Sequence, residues 1–211
     1  MIVSSKHKTN NPEYPNFWDK KYILNESSWD IGYPTPIFVN WFNNNNNNKK
    51  KKILIPGCGK GHDAFFLANK GHDVYALDFS IEAVKIMERR AKLENISINI
   101  LNQSIFDMEN YYGKFDIILE YTFFCAINPE KRLKYIETAY NLLVNNGLFL
   151  GILLPIKKAL NEGGPPFGVD VFEAIKMFEK YFELIKCSYS ELSIPPRAGN
   201  EKFIHMKKCI R

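Results

Sequence analysis

From residue 52 onward the chain alternates short apolar runs of β-type composition with stretches whose apolar residues recur at helical spacing. This is the pattern of β-α-β units feeding a largely parallel sheet. Residues 52–56 (KILIP) predict the first strand, 61–70 a helix and 73–78 (DVYALD) the second strand. Ser80 caps a helix reaching about residue 92, with Ile81, Val84 and Met87 as its buried stripe. A third strand follows at 97–102 and a fourth at 115–121. Asn128-Pro129 then supplies an N-cap and a first-turn proline for a helix to residue 144, which Asn146-Gly147 ends. A fifth strand at 148–154 leads to a glycine- and proline-rich loop at 155–169, a helix at 170–181, and two last strands near 183–192 and 201–209 that read as an antiparallel edge pair. The predicted fold class is α/β: a doubly wound, mostly parallel seven-stranded sheet with an antiparallel edge strand.

Ahead of the sheet pattern lies a proline-punctuated, aromatic-rich segment holding all three tryptophans, Trp18, Trp29 and Trp41. One reading of these aromatics is that they cover one end of the core; the other, since they are too many for a tail, is that residues 14–32 form a lid. The length of 211 residues, 45% of them hydrophobic, suits a single domain spanning 1–211. No signal-peptide core is present near the N-terminus, and the longest apolar stretch, at 147–156, is far short of a bilayer span, so a cytoplasmic protein without membrane contact is expected. Cys58, Cys125, Cys187 and Cys209 are dispersed without a C-x-x-C pair, and the four histidines show no ligand spacing, so neither disulfides nor a metal are expected. The formal charge of +5 owes much to Lys49–Lys52, directly after the asparagine run Asn43–Asn48. That low-complexity loop, 43–52, reads as a solvated surface feature rather than a nucleic-acid contact, and a monomer is expected.

The chemistry concentrates in Ile53-Leu54-Ile55-Pro56-Gly57-Cys58-Gly59-Lys60-Gly61-His62-Asp63, a glycine-rich turn from the first strand into the first helix. Such a turn sits at the carboxyl ends of the strands, where open α/β sheets bind ligands. Asp78 ends the second strand at the separation from Gly57 that lets an acid reach a nucleoside ribose. The spacing Gly57-x-Gly59-x-Gly61 departs from the dinucleotide fingerprint, and no Walker lysine follows. A G-x-G-x-G turn, the acid and a final strand hairpin suit S-adenosylmethionine, which brings no pyrophosphate to cradle.

Five dispersed motifs then carry a resemblance. Trp18-Asp19-Lys20-Lys21-Tyr22 with Trp29-Asp30-Ile31-Gly32, the turn PGCGKGHD, the run 120–130 (EYTFFCAINPE), the loop 162–167 (EGGPPF) and the tail 194–202 (IPPRAGNEK) resemble the thiol/halide methyltransferase family, related to thiopurine S-methyltransferases. The resemblance covers residues 17 to 208 and implies a Rossmann-like methyltransferase fold. It further implies that Trp18, Tyr22 and Trp29 close over the cofactor, Gly57 and Gly59 line its methionine end, Asp78 holds the ribose, and Tyr121 faces the transferring methyl. Three positions depart from the family pattern. Tyr22 stands where tryptophan is frequent, Ser104 where an acid is common near the adenine, and Phe167 where a tyrosine that could touch substrate is frequent.

Methyl transfer joins an anionic nucleophile to a cationic sulfonium, so charge is lost on the way to the transition state, and a closed apolar pocket that strips hydration accelerates it. A thiocyanate, iodide or hydrosulfide carries its charge already, no general base is evident, and no catalytic residue is assigned. His62 and Asp63 read as helix-start polarity, and Cys58 and Cys125 as buried thiols. Arg197 is a candidate for attracting an anionic substrate or holding the lid. Larger thiopurine-like heteroaromatics are the nearest alternative acceptors. Nitrogen-directed enzymes commonly carry Asn/Asp-Pro-Pro-Tyr/Phe where this chain has Glu120-Tyr121-Thr122-Phe123. A non-catalytic cofactor- or RNA-binding module, resting on Lys49–Lys52, is the alternative from a different class.

Overall fold

The computed structural model describes residues 11–45 and 49–210. Two short helices come first, α1 (Pro15–Ile23) and α2 (Pro36–Asn44), each opened by a proline whose missing N–H costs nothing in a first turn. The sheet then forms from β1 (Lys52–Pro56), β2 (Asp73–Asp78), β3 (Asn99–Asn102), β4 (Phe115–Tyr121), β5 (Leu143–Leu153), β6 (Phe182–Ser188) and β7 (Lys202–Lys208). Between the strands run α3 (His62–Asn69), α4 (Ile81–Glu94), α5 (Arg132–Leu142) and α6 (Val171–Glu179).

The strand order is β3-β2-β1-β4-β5-β7-β6, parallel as far as β5, with β7 antiparallel to both β5 and β6. The expected fold class is therefore present. The winding direction reverses between β1 and β4, so the loops after these two strands diverge and leave a crevice at their carboxyl ends. β1, β2 and β4 are nearly continuous apolar runs because helices cover both faces of the sheet. One continuous core contains Phe38 and Phe42 of α2 together with Tyr135, Phe149, Phe178 and Phe182.

Several sequence expectations are corrected. Ile81, the first helical residue, is 40% exposed, and the buried face of α4 is Ala83, Val84 and Met87. The third strand begins only at Asn99. Asn128 caps a 3-10 turn, Pro129–Lys131, through its side-chain oxygen, and the α-helix proper starts at Arg132. That helix stops at Leu142. Leu143 already pairs with Phe115, and residues 144–147 form an irregularity before Leu148 pairs with Ile117, so Asn146-Gly147 interrupts a strand and does not end a helix. The asparagine run starts inside α2, which includes Asn43 and Asn44, and Lys52 opens β1, so the low-complexity loop is shorter than 43–52; its residues 46–48 lie outside the described residues. Among the described residues no helix is long and apolar enough to cross a membrane.

Candidate active site

The turn after β1 runs through Gly57, Gly59 and Gly61, all with positive φ (58°, 56° and 76°). Glycine is required here for space as well as for backbone angle: a Cβ on Gly57 would overlap the Phe123 ring, and one on Gly59 would lie 2.9 Å from the Tyr22 hydroxyl. The turn is held from the next strand. The Gly59 amide donates to Asp78 Oδ2 at 2.9 Å and the Ser80 amide to Oδ1 at 2.9 Å, while the Cys58 amide bonds the Leu77 carbonyl. Burial pushes the Asp78 carboxyl up to about 6 against the pull of these amides.

A cleft of about 820 Å³ opens over this turn. One wall passes from Gly57 through Asp78 and Phe79 to Ser104 and Ile105; the other carries Trp18, Tyr22 and Trp29. The three aromatics stand edge to face, Trp18 on Trp29 at 5.3 Å and Tyr22 on Trp29 at 5.7 Å between centroids. Ser104 accepts from the Phe106 amide and caps the 3-10 turn Ile105–Asp107. Asp19 docks α1 on the start of α4, where the Ser80 hydroxyl donates to Asp19 Oδ1 at 2.6 Å and the Glu82 amide at 3.3 Å.

The cleft is also lined by Cys125, Ile127, Asn128, Pro165, Pro166, Arg197 and Asn200. Arg197 Nη2 donates to the Trp29 carbonyl at 2.6 Å, its guanidinium lies 4.6 Å from the centroid of the Tyr121 ring, and its Nη1 is buried with no partner. It thus pins the aromatic segment and leaves a cationic donor free. Tyr121 lies in the wall of a smaller adjoining cavity of about 60 Å³, which shares Trp29, Gly57 and Thr122 with the cleft. Phe167 is not among the cleft-lining residues. Its amide donates to the Cys125 carbonyl at 2.7 Å and its carbonyl accepts from Arg132, which turns it into the loop's own packing while Pro165 and Pro166 face the cleft.

Sequence reasoning missed the part played by four groups. Glu201, 1% exposed, accepts from the Tyr121 hydroxyl at 3.1 Å and from the Ser193 hydroxyl at 2.7 Å. Asp63 accepts both the amide and the hydroxyl of Thr35, at 2.7 and 2.8 Å, and burial pushes its carboxyl up to about 6. Buried Glu120 accepts the Phe123 and Phe124 amides and burial pushes it up to about 7, while Arg132 reaches the Phe124 and Gly168 carbonyls. The peptide of Phe124 is thereby clamped at both ends. Phe123 covers Gly57. The bonds from Glu201 to Tyr121 and from Asp63 to Thr35 join residues far apart in sequence, so spacing carries no signal for them; Glu120, Phe123, Asp63 and Glu201 all lie within the quoted motifs, which is the one signal that could have singled them out. His62, read as helix-start polarity, lies 3.0 Å from Asp30, which also pairs with Lys60 at 2.8 Å. Cys58 is half-buried and Cys125 buried, and burial raises both thiols.

An elongated cleft with a glycine cradle, a buried acid at one strand end and an aromatic wall fits a nucleoside joined to a cationic amino-acid tail. Comparison with known proteins agrees. The chain is 33% identical over 194 residues to "Probable thiol methyltransferase 2" of Arabidopsis thaliana and 32% identical over 197 residues to "Thiocyanate methyltransferase 1" of the same plant, each match covering 90% of this chain and 84% of the relative. A solved Burkholderia thailandensis 1,6-didemethyltoxoflavin-N1-methyltransferase, with bound S-adenosylhomocysteine, shares the fold with a TM-score of 0.74 at 15% identity, over 100% of this chain and 93% of that one. The thiopurine S-methyltransferase pattern matches residues 13–208, and the chain belongs to that family of S-adenosylmethionine-dependent methyltransferases.

Proposed function

We propose that this methyltransferase methylates a small soft nucleophile, a thiol, hydrosulfide, thiocyanate or halide, and works as a single-domain cytoplasmic monomer without nucleic acid. The observation that carries the reading is the buried, unpartnered Nη1 of Arg197, a residue that lines the cleft and lies against the Tyr121 ring. A donor left without a partner in such a place awaits a lone pair or an anion. The names of the two plant relatives support the same acceptor class.

Bound S-adenosylmethionine supplies an electrophilic methyl on a sulfonium cation. In this reading Gly57 and Gly59 face its amino-acid end, Asp78 the ribose and Ser104 the adenine side, while Trp18, Tyr22 and Trp29 close over it. Arg197 takes two parts, holding that aromatic lid at Trp29 and drawing the nucleophile toward Tyr121. Pro165, Pro166 and Ile127 exclude water, so the nucleophile loses hydration before it reacts.

The volume of the cleft, about 820 Å³, favours a second reading, heteroaromatic thiols such as thiopurines. An RNA-binding role is less well supported, since Lys51 and Lys52 lie 3.7 Å from Asp116 and Asp73. Labelled S-adenosylmethionine tested against hydrosulfide, thiocyanate, iodide and a thiopurine separates the readings. Label transfer to the thiopurine alone selects the second, and salt-sensitive RNA binding without transfer to any acceptor discards both.

A further inference from the structure

Glu201 has an unusual set of partners. Its carboxylate is buried at the start of β7, yet both oxygens are met by hydroxyl groups, Tyr121 at 3.1 Å and Ser193 at 2.7 Å, and no cation lies within salt-bridge distance of it among the described residues. The only proton on the Tyr121 hydroxyl is therefore committed to Glu201, and toward a ligand the phenol oxygen can act only as an acceptor. A halide or thiocyanate offers it no proton. A neutral thiol does.

Arg197 completes the arrangement. Burial, with Glu201 added to it, lifts the Tyr121 phenol above its usual range against the charge and N–H of the facing Arg197 guanidinium, so the phenol gives up its proton only as it gains another. The free Nη1 of Arg197 is available to the sulfur.

We propose that Tyr121 and Glu201 form a proton relay that lets this site use neutral thiols. The inference rests on the methyltransferase reading above and narrows its substrate class. The S–H proton passes to the Tyr121 oxygen as the Tyr121 hydroxyl proton passes to Glu201 Oε2. The electron pair left on sulfur forms the new S–CH3 bond, the methyl's bond to the sulfonium breaks, and its electron pair stays on the departing thioether. One proton, left on Glu201, returns to solvent with product. Tyr121 is then a catalytic residue and Glu201 acts through it.

The test compares 2-mercaptoethanol with thiocyanate. In the wild type the ratio of thiol to thiocyanate turnover stays flat from pH 6.5 to 8.5. In Glu201→Gln that ratio falls at least tenfold at pH 6.5 and climbs about tenfold per pH unit, following the thiolate. Calorimetry of 2-mercaptoethanol binding to the S-adenosylhomocysteine complex, in two buffers of different ionisation enthalpy, gives a readout without turnover: the wild type releases no net proton at pH 7. Tyr121→Phe, which leaves the Glu201–Ser193 bond in place, repeats the turnover test should Glu201→Gln not fold. Release of about one proton per thiol by the wild type, or an unchanged ratio in both variants, overturns the relay. A wild type that methylates neither acceptor overturns instead the reading on which the relay rests.

Discussion

The carboxylate of Asp78 and the amide of Gly59 are 2.9 Å apart, so the acid that ends β2 holds in place the glycine turn that follows β1. Asp78→Ala strips two buried amides of their acceptor and should both weaken S-adenosylhomocysteine binding at least tenfold and lower the melting temperature, each orphaned amide costing about 1–3 kcal/mol. Asp78→Asn keeps one oxygen acceptor and should lose less stability. Titration calorimetry and thermal unfolding check both variants, and unchanged affinity in a folded Asp78→Ala protein would remove this residue from the site.

Gly57→Ala should cost about 1–3 kcal/mol, because its φ of 58° strains any residue with a Cβ and that Cβ would overlap the Phe123 ring. In a Phe123→Ala background the overlap disappears and only the backbone strain remains. Denaturant unfolding of the four proteins of this cycle should therefore give a coupling of about 0.5 kcal/mol or more, with Gly57→Ala the milder change in the double mutant. Additive effects would show that the ring and the turn are independent.

Deleting residues 14–32 should abolish turnover before it abolishes folding, since most of its aromatics line the cleft while the continuous core draws on Phe38 and Phe42 of α2. Circular dichroism reports the fold and labelled donor the turnover. A truncated protein with full activity would reduce Trp18, Tyr22 and Trp29 to packing.

Three buried acids should make stability fall as pH rises. Burial lifts Asp63 and Asp78 to about 6 and Glu120 to about 7, so between pH 4 and 7 the unfolded chain releases protons that the folded chain still holds. Each group removes on the order of 3 kcal/mol across that window, and the loss levels off above pH 7. Thermal unfolding from pH 5 to 8 measures the slope, and Glu120→Gln should flatten it. A midpoint that climbs over this range would contradict these positions for the three carboxyls.

The sheet was legible because its strands are read from local pattern. β1, β2 and β4 start and stop where the apolar runs do, and the glycine turn and Asp78 fall where strand ends must place them. Pattern misled where one residue answers to tertiary structure: Ile81 looks like part of a stripe but only opens its helix, and Asn146-Gly147 looks like a helix stop although Leu143 is already drawn into the sheet by Phe115. The place of Phe167 outside the cleft lining was hidden for a similar reason, its amide being claimed by the Cys125 carbonyl. The partnerships of Glu201 with Tyr121 and of Asp63 with Thr35 span 80 and 28 residues, and no period or spacing encodes a meeting over such separations.

The bond from Arg197 to the Trp29 carbonyl joins two points 168 residues apart and, with Asp19 on Ser80, fastens the segment before the sheet across to the hairpin that ends it. Both fastenings lie beside the cleft, so one short segment is tied down at two points by parts of the chain that are distant from it in sequence. Cutting either tie, with Arg197→Ala or Asp19→Ala, should loosen the aromatic wall and speed the dissociation of S-adenosylhomocysteine while the sheet stays folded.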